Sequence, residues 1–316
     1  MFRYILRRLG FLVITLLFTS MIVFVIARLL PGDVARVILG REAGEAALQA
    51  LRIKLGLNDP FFVQYFRWLG NFIVGKWGES FSTQSEILPL VMGRLHNTLM
   101  LGGLILLVSV PLAVTLGVIS GLNENTLVDN FISITSLAVV GLPEFVTGLV
   151  LIQVFAFKLH ILPANSSILP DSTFMEALPR LILPAITATL VLLAYIARLT
   201  RAGVVEELKQ AYVRTADLKG LPRRTVVIKH ILRNALMPTI TVIAISCGWL
   251  ISGLIVIENV FNYPGLGRLM LFAIDRRDLP LLQAVTMLTV IVYALANLIA
   301  DILYAILNPK IRLGSN

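Results

Sequence analysis

The sequence predicts an all-α, polytopic membrane protein with six transmembrane helices, and three observations carry that prediction. Of its 316 residues, 57% are hydrophobic and 14% charged, whereas soluble domains average about 25% charged. So few polar groups cannot cover a globule of this size, so apolar surface must face lipid. Apolar stretches of about 20 residues, the length that crosses a bilayer as a helix, recur along the chain. The excess of positive charge, +9 overall, is confined to one side of the resulting topology. Soluble and disordered classes are excluded, and a single cysteine, Cys247, excludes an internal disulfide or a Cys-rich metal cluster.

The first span is Leu9–Ala27. It follows Arg3, Arg7 and Arg8 and so imitates a signal peptide. Its core is too long for that role and ends in Arg28-Leu29-Leu30 without a small-x-small cleavage site, which predicts a retained helix. The connection from Pro31 to about Asn97 is too long to be structureless in a compact protein. Its Ala-, Leu-, Glu- and Arg-rich stretch Glu42–Leu55 favours helix. The aromatic run Phe61–Leu69 suits the headgroup level of a membrane. Residues 1–94 are thus expected to form one span and a helical subdomain lying on the outer membrane surface. Within them, Gly70-Asn-Phe-Ile-Val-Gly75-Lys76 fits the first seven positions of a phosphate-binding loop. Trp77 stands where the magnesium-holding Ser or Thr belongs and the interior is bulky and apolar, so the match is rejected.

Residues 95–305 hold five further spans, Leu99–Leu122, Phe131–Phe157, Leu181–Ala197, Leu236–Ile257 and Leu279–Tyr304, leaving a tail at 306–316. Pro111, Pro143, Pro184 and Pro238 fall inside them, which bilayer helices tolerate where neighbours satisfy the freed carbonyls. Gly117-x-x-x-Gly121 is spaced to bring two helices close, although incidental glycines give the same pattern. Six spans put both termini on one side. Arg3, Arg7, Arg8, Lys310, Arg312 and the basic connection between the fourth and fifth spans share that side, and together with the acidic Glu124–Asp129 connection they account for the whole +9. By the positive-inside rule it is the cytoplasm, and no nucleic-acid partner is needed to explain the charge.

The basic connection, residues 198–235, is the most informative stretch. Val205, Leu208, Tyr212 and Ala216 recur at helical spacing, as do Val227, Ile231 and Ala235. Gly220-Leu221-Pro222 between them ends one helix and prevents its continuation. The product is a helical elbow projecting from the membrane, and its apolar stripe points to a protein groove as its destination; a solvated charged loop is the plainer alternative.

Glu144, Glu258 and Asp301 lie in or near spans, where an unpaired carboxylate is costly and a functional candidate by default. Glu144, beside Pro143, and Glu258 are candidates for lining a translocation path. Glu258 could equally hold the outer end of the fifth span, and Asp301 is expected to pair within the bundle or with Asn297. His96, His160 and His230 are scattered without metal-ligand spacing, so no metal site is expected. No nucleophile with its base is found, so no catalytic residue is expected either.

Tyr212-Val-Arg-Thr-Ala-Asp-Leu-Lys-Gly-Leu221, followed by Lys229-His-Ile-Leu-Arg-Asn-Ala-Leu-Met-Pro238, resembles the EAA loop of ABC importer permeases. The chain is most similar to the family serving dipeptides, oligopeptides, glutathione and nickel. The same resemblance runs through Arg28-Leu-Leu-Pro-Gly-Asp33, Leu55-Gly-Leu-Asn-Asp-Pro60, Gln64-Tyr65, Leu142-Pro143-Glu144-Phe145 and Leu162-Pro163-Ala164. It continues through Ile257-Glu258-Asn-Val-Phe261, Pro264-Gly-Leu-Gly267, Arg277-Asp278-Leu279-Pro280, Asn297 and Asp301-Ile-Leu-Tyr304. Arg214 and Thr215 depart from the general EAA pattern, as does Asp217, and Asn308-Pro309-Lys310 replaces a more usual Asp-Pro-Arg.

The resemblance implies a type I ABC importer permease fold with its core at 95–305. It implies that the elbow is a coupling helix seated in a cytoplasmic ATPase, with Tyr212, Arg214, Thr215, Ala216, Lys219, Gly220 and Leu221 as the ATPase-coupling residues. Gly220 would permit the turn and Ala216 the close approach. It further implies a second homologous permease, two ATPase subunits that bind ATP and magnesium, and an extracytoplasmic solute-binding protein. Pro264, Gly265, Gly267 and Arg268 are the candidates for docking that protein. No cofactor is expected in the chain itself, which would reside in a bacterial inner membrane. The rival reading is an ATP-independent secondary carrier or channel, which would leave the elbow without a purpose.

Overall fold

The computed structural model describes residues 2–29, 36, 39, 43–54, 56–169 and 172–307. Leu30–Asp33 of the first family motif, Leu55, Asn308-Pro309-Lys310 and the tail from 308 onward lie outside them. Helix α1 spans Phe2–Leu29 without interruption. After it come α2 (Glu45–Lys54) and α3 (Phe61–Ile73). The aromatic run clasps the far end of α1: Phe24 meets the rings of Phe61, Tyr65 and Trp68 at centroid distances of 5.4, 5.6 and 5.6 Å. Ser20 and the Tyr65 hydroxyl share a 2.8 Å hydrogen bond. Gly75, at φ +78°, ends α3, with Lys76 N–H donating to Asn71 and Gly75 N–H to Phe72. This is the Schellman cap that favours glycine. The phosphate-loop look-alike is therefore a helix end, and Trp77 is stacked on Phe72 at 4.8 Å.

The bundle is built on α4 (Ile87–Leu122), α7 (Phe174–Leu208), α9 (Leu232–Gly253) and α12 (Leu279–Leu307). With 36 and 35 residues, α4 and α7 are about 53 Å long at 1.5 Å per residue, so each overhangs a hydrocarbon core of about 30 Å. Helix α7 passes through both Pro179 and Pro184 and exceeds the expected Leu181–Ala197 at both ends. The overhang is anchored at its start by Glu176, whose carboxylate accepts from Thr173 N–H at 2.9 Å.

The third expected span is not one helix. Chain 127–158 forms α5 (Leu127–Gly141) and α6 (Glu144–Leu151), the latter continuing as a π-helical stretch, Ile152–Lys158. The two limbs are bent by 102°. Leu142 is extended at φ −93°, ψ 132°, the conformation a residue preceding proline prefers, and α6 restarts behind Pro143. The limb that starts at α5 lies beside α7 near Arg201, whereas the other ends against Phe261 and Val260 at the opposite end of the bundle. The pair therefore traverses the bundle as a broken span. Together with five long apolar helices this gives up to six crossings. Arg8 and Asp301, near the two chain ends, form a 2.8 Å ion pair, so α1 and α12 share an end.

Gly117 and Gly121 set the α4–α7 contact. A Cβ on Gly117 would lie 2.5 Å from Thr200 Cβ and 2.6 Å from the Ala197 carbonyl, and one on Gly121 would lie 2.7 Å from Val204 Cβ. Gly117→Ala is expected to force the helices apart and cost about 1–3 kcal/mol, as overpacked cores do. A melting temperature of the purified chain unchanged by the substitution would disprove this.

Candidate functional site

The elbow follows α7 and comprises α8 (Ala211–Leu218), a short helical turn Arg223–Thr225 and a π-helical turn, Val226–Ile231, which leads into α9. The expected stripe does not lie on one helix, because the chain breaks at Lys209–Gln210. The buried face consists of Val204, Val213, Ala216, Val226, Ile231 and Ala235. Ala216 thus packs against its own chain instead of approaching a partner, and the apolar stripe points inward. Gly220 has open space around it but sits at φ +73°. Leu221 N–H donates to Ala216 and Gly220 N–H to Asp217, so conformation, not crowding, selects glycine there.

Tyr212 straps the elbow down. Its hydroxyl donates to Glu207 on α7 and accepts from Asn234 Nδ2 on α9 at 3.1 Å. Burial, followed by the Glu207 contact, pushes the phenol above its ordinary pKa. Arg214, Thr215, Leu218, Lys219 and Leu221 remain on the outer face, and Leu218 is 81% exposed.

At the other end, α10 (Ile255–Val260) and α11 (Leu266–Asp275) enclose Glu258, which is fully buried. Thr98 Oγ1 donates to its Oε1 at 2.7 Å, and Arg268 N–H to Oε2 at 3.1 Å. Thr98 in turn accepts from Leu266 N–H at 2.8 Å. Tyr263 donates to the Asn97 carbonyl at 2.7 Å, while Asn97 donates to the Pro264 carbonyl at 2.9 Å. Burial raises the Glu258 pKa against the opposing pull of these donors. Glu258 therefore binds the α10–α11 turn to α4 and is closed off from any path in this conformation. Pro264, Gly265 and Gly267 are buried in the same hub. Cβ atoms on Gly265 and Gly267 would fall 2.0 Å from Glu258 Oε1 and 2.5 Å from Ile255 Cγ1. Of the four docking candidates, only Arg268 retains partial exposure.

Glu144 is placed differently. It opens α6 immediately behind the 102° break, is half-buried, and has no hydrogen-bond or ion-pair partner among the described residues. One turn further on, Gly148 packs against Phe261 and Val260. Asp301 is paired, but with Arg8 rather than Asn297.

Two further carboxylates hold distant segments together. Asp129, which the sequence places in a connection, is 1% exposed and receives Arg201 in a bidentate pair, Nε to Oδ1 at 2.6 Å and Nη2 to Oδ2 at 2.7 Å. Ser120 Oγ at 2.5 Å and Asn125 N–H at 2.9 Å complete its shell. Asp278, also fully buried, opens α12 and accepts from Ser80 Oγ at 2.6 Å and Ser82 N–H at 2.9 Å. It ties the segment before α4 to the last long helix. Neither pairing carries a local signal, since the partners are 72 and almost 200 positions away.

Residues 1–102 match the family described as the N-terminal part of the membrane component of binding-protein-dependent transport systems. Residues 113–313 match the binding-protein-dependent transport system inner membrane component. The chain is 37% identical over 309 residues to the probable peptide ABC transporter permease protein y4tP of Sinorhizobium fredii (strain NBRC 101917 / NGR234), covering 98% of this chain and 99% of that protein. It is 35% identical over 312 residues to the glutathione transport system permease protein GsiC of Escherichia coli (strain K12), covering 99% of each. GsiC of Shigella dysenteriae serotype 1 (strain Sd197) gives the same values. These matches favour ATP-driven import over an autonomous carrier and a translocating subunit over an enzyme. They bring with them ATPase and binding-protein partners in general and a multi-pass place in the inner membrane. The chain belongs to the family of binding-protein-dependent transport system inner membrane components and is a permease subunit of an ABC importer.

Proposed function

We propose that this chain forms one half of a two-permease path for a peptide-class solute, driven through its elbow by cytoplasmic ATPases. The observation that carries the reading is the elbow itself, where Val213 and Ala216 anchor α8 inward while Leu218, Lys219 and Leu221 face out. An ATPase groove seated on that outer face would move α7 and α9 together, because Tyr212 is bonded to both. Two ATPase subunits bind ATP and magnesium, and this chain needs no cofactor. The printed names of the relatives, one a peptide permease and the others glutathione permeases, support a peptide-class cargo. The net excess of basic charge on the elbow side supports cytoplasmic termini. The exposed apolar face of α5, with Phe131, Ile134 and Leu137, suits contact with a second, homologous permease. Glu144, unpaired at the broken span, faces the path, where half-helix ends commonly meet solute. A binding protein delivers solute at the Glu258 end.

Leu218→Asp tests the coupling step. The side chain lies outside the buried clusters, so folding and membrane insertion are expected to persist. A carboxylate replacing an apolar contact should lower binding-protein-stimulated ATP hydrolysis by the reconstituted complex at least about tenfold, equivalent to about 1.4 kcal/mol of coupling. Undiminished stimulation would remove the outer elbow face from the mechanism.

A further inference from the structure

A cavity of about 220 Å³ opens at the Glu258 end between α4 and α11, with Arg94 and Arg268 in its lining and Thr83 at its edge. Leu90, Leu269 and Phe272 supply apolar walls. Arg94 lies one helical turn before Thr98, so the cavity adjoins the hub. Arg268 is fixed by donating from Nη1 to the Asn262 carbonyl at 3.0 Å. Among the described residues no acceptor is bonded to Arg94, which senses the like charge of Arg268 and the opposite charge of Glu258. Glu258 does not bond to Arg94, since its oxygens are engaged by Thr98 and the first turn of α11. Two guanidinium groups against one carboxylate leave one positive charge unmatched. Guanidinium forks select carboxylates by geometry as well as charge, so one further carboxylate would neutralise the site.

Volume decides which kind. Pockets that hold whole small molecules run to roughly 300–1,000 Å³, and this one is smaller, which suits a single side chain rather than a peptide. We infer that the Arg94–Arg268 cavity receives the carboxylate of one acidic side chain projecting from the docked solute-binding protein. This rests on the reading that a binding protein docks at the Glu258 end, and gives that docking a residue-level anchor. A charged anchor of this kind sets partner register and steers approach.

The test uses the complete transporter in lipid nanodiscs and its own solute-loaded binding protein, with docking affinity measured at low and high salt. Arg94→Gln is expected to weaken docking at least tenfold and flatten its salt dependence, while Arg94→Lys retains part of the affinity. Thr83→Glu removes no cation but offers the cavity a carboxylate from the chain itself. It should also weaken docking, and it remains informative if Arg94→Gln fails to assemble. Charge exchange completes the case: one acidic residue of the binding protein changed to lysine should restore docking to Arg94→Glu. Unmodified affinity in both Arg94→Gln and Thr83→Glu would overturn the anchor while leaving docking at this end intact. Failure of the unmodified transporter to bind its binding protein, or cross-links from the binding protein only to other faces, would overturn the docking reading and the anchor together.

Discussion

Arg201→Ala is expected to destabilise the chain by about 2–4 kcal/mol, slightly less than the roughly 3–5 kcal/mol lost when one member of a fully buried pair is removed. The reduction reflects the 29% exposure of the Arg201 side chain, against 2% for Asp129, because solvent screens part of the interaction. The larger effect comes from what remains. Asp129 stays enclosed with Ser120, Ser133 and Asn125 around it, and those donors only partly replace the charge-assisted fork. Asp129→Ala combined with Arg201→Ala should therefore be less destabilised than Arg201→Ala alone, because the double substitution strands no carboxylate. Thermal unfolding of the purified protein and a double-mutant cycle measure both quantities. A double variant less stable than either single variant would show that the pair is not the source of the effect.

The same pair explains what could be read from the sequence and what could not. Lipid-facing helices announce themselves through uninterrupted apolar length, so α1, α4, α7, α9 and α12 were legible within a few residues at their cores. Their overhangs were not, since polar ends such as Arg201-Ala-Gly-Val-Val-Glu-Glu-Leu208 look like connection until tertiary packing holds them helical. The broken span was partly written in Pro143, but Pro111, Pro184 and Pro238 stand within helices that pass straight through. A proline therefore signals a lost hydrogen bond without fixing the bend. On the elbow, helical spacing marked an apolar stripe, and the fold turns a different set of apolar residues inward. Val205, Leu208, Tyr212 and Ala216 fall into phase only if Lys209–Gln210 is helical, and neither residue is a strong breaker. Gly220 was assigned correctly because a positive-φ cap leaves a local mark in the chain. Asp129–Arg201 and Ser80–Asp278 left none, because their chemistry exists only once distant segments meet.

These buried polar centres sit at opposite ends of the bundle, and the division of labour follows from their neighbours. Asp129–Arg201 joins the start of the broken span to α7 directly above the elbow, so movement of α8 reaches the α5 limb through a stiff, bidentate link. At the far end, Glu258 joins α4 to the turn that carries Arg268. Helix α7 spans the distance from the elbow toward that end, and the 102° break divides the α5 limb held by Arg201 from the α6 limb packed on Phe261. Sub-ångström shifts in packed bundles convert to discrete rearrangements because close-packed interiors do not deform continuously.

Gly265→Ala is the most damaging single change expected at the Glu258 end. Its Cβ would stand 2.0 Å from Glu258 Oε1 and 2.2 Å from Cδ, and Glu258 cannot yield without surrendering its bonds to Thr98 and to the first turn of α11. Overpacking costs about 1–3 kcal/mol, and each buried polar group left unsatisfied adds about the same, so a loss on the order of 3 kcal/mol or more is expected. The control that isolates the cause is Glu258→Ala in the Gly265→Ala background. Removing the carboxylate relieves the clash, so the second substitution should cost far less there than in the unmodified chain. The two readouts are thermal unfolding and retention of the binding-protein complex. If the costs simply add, Gly265 is required for some reason other than the approach of Glu258, and the hub loses its account of why a glycine stands between Pro264 and Leu266.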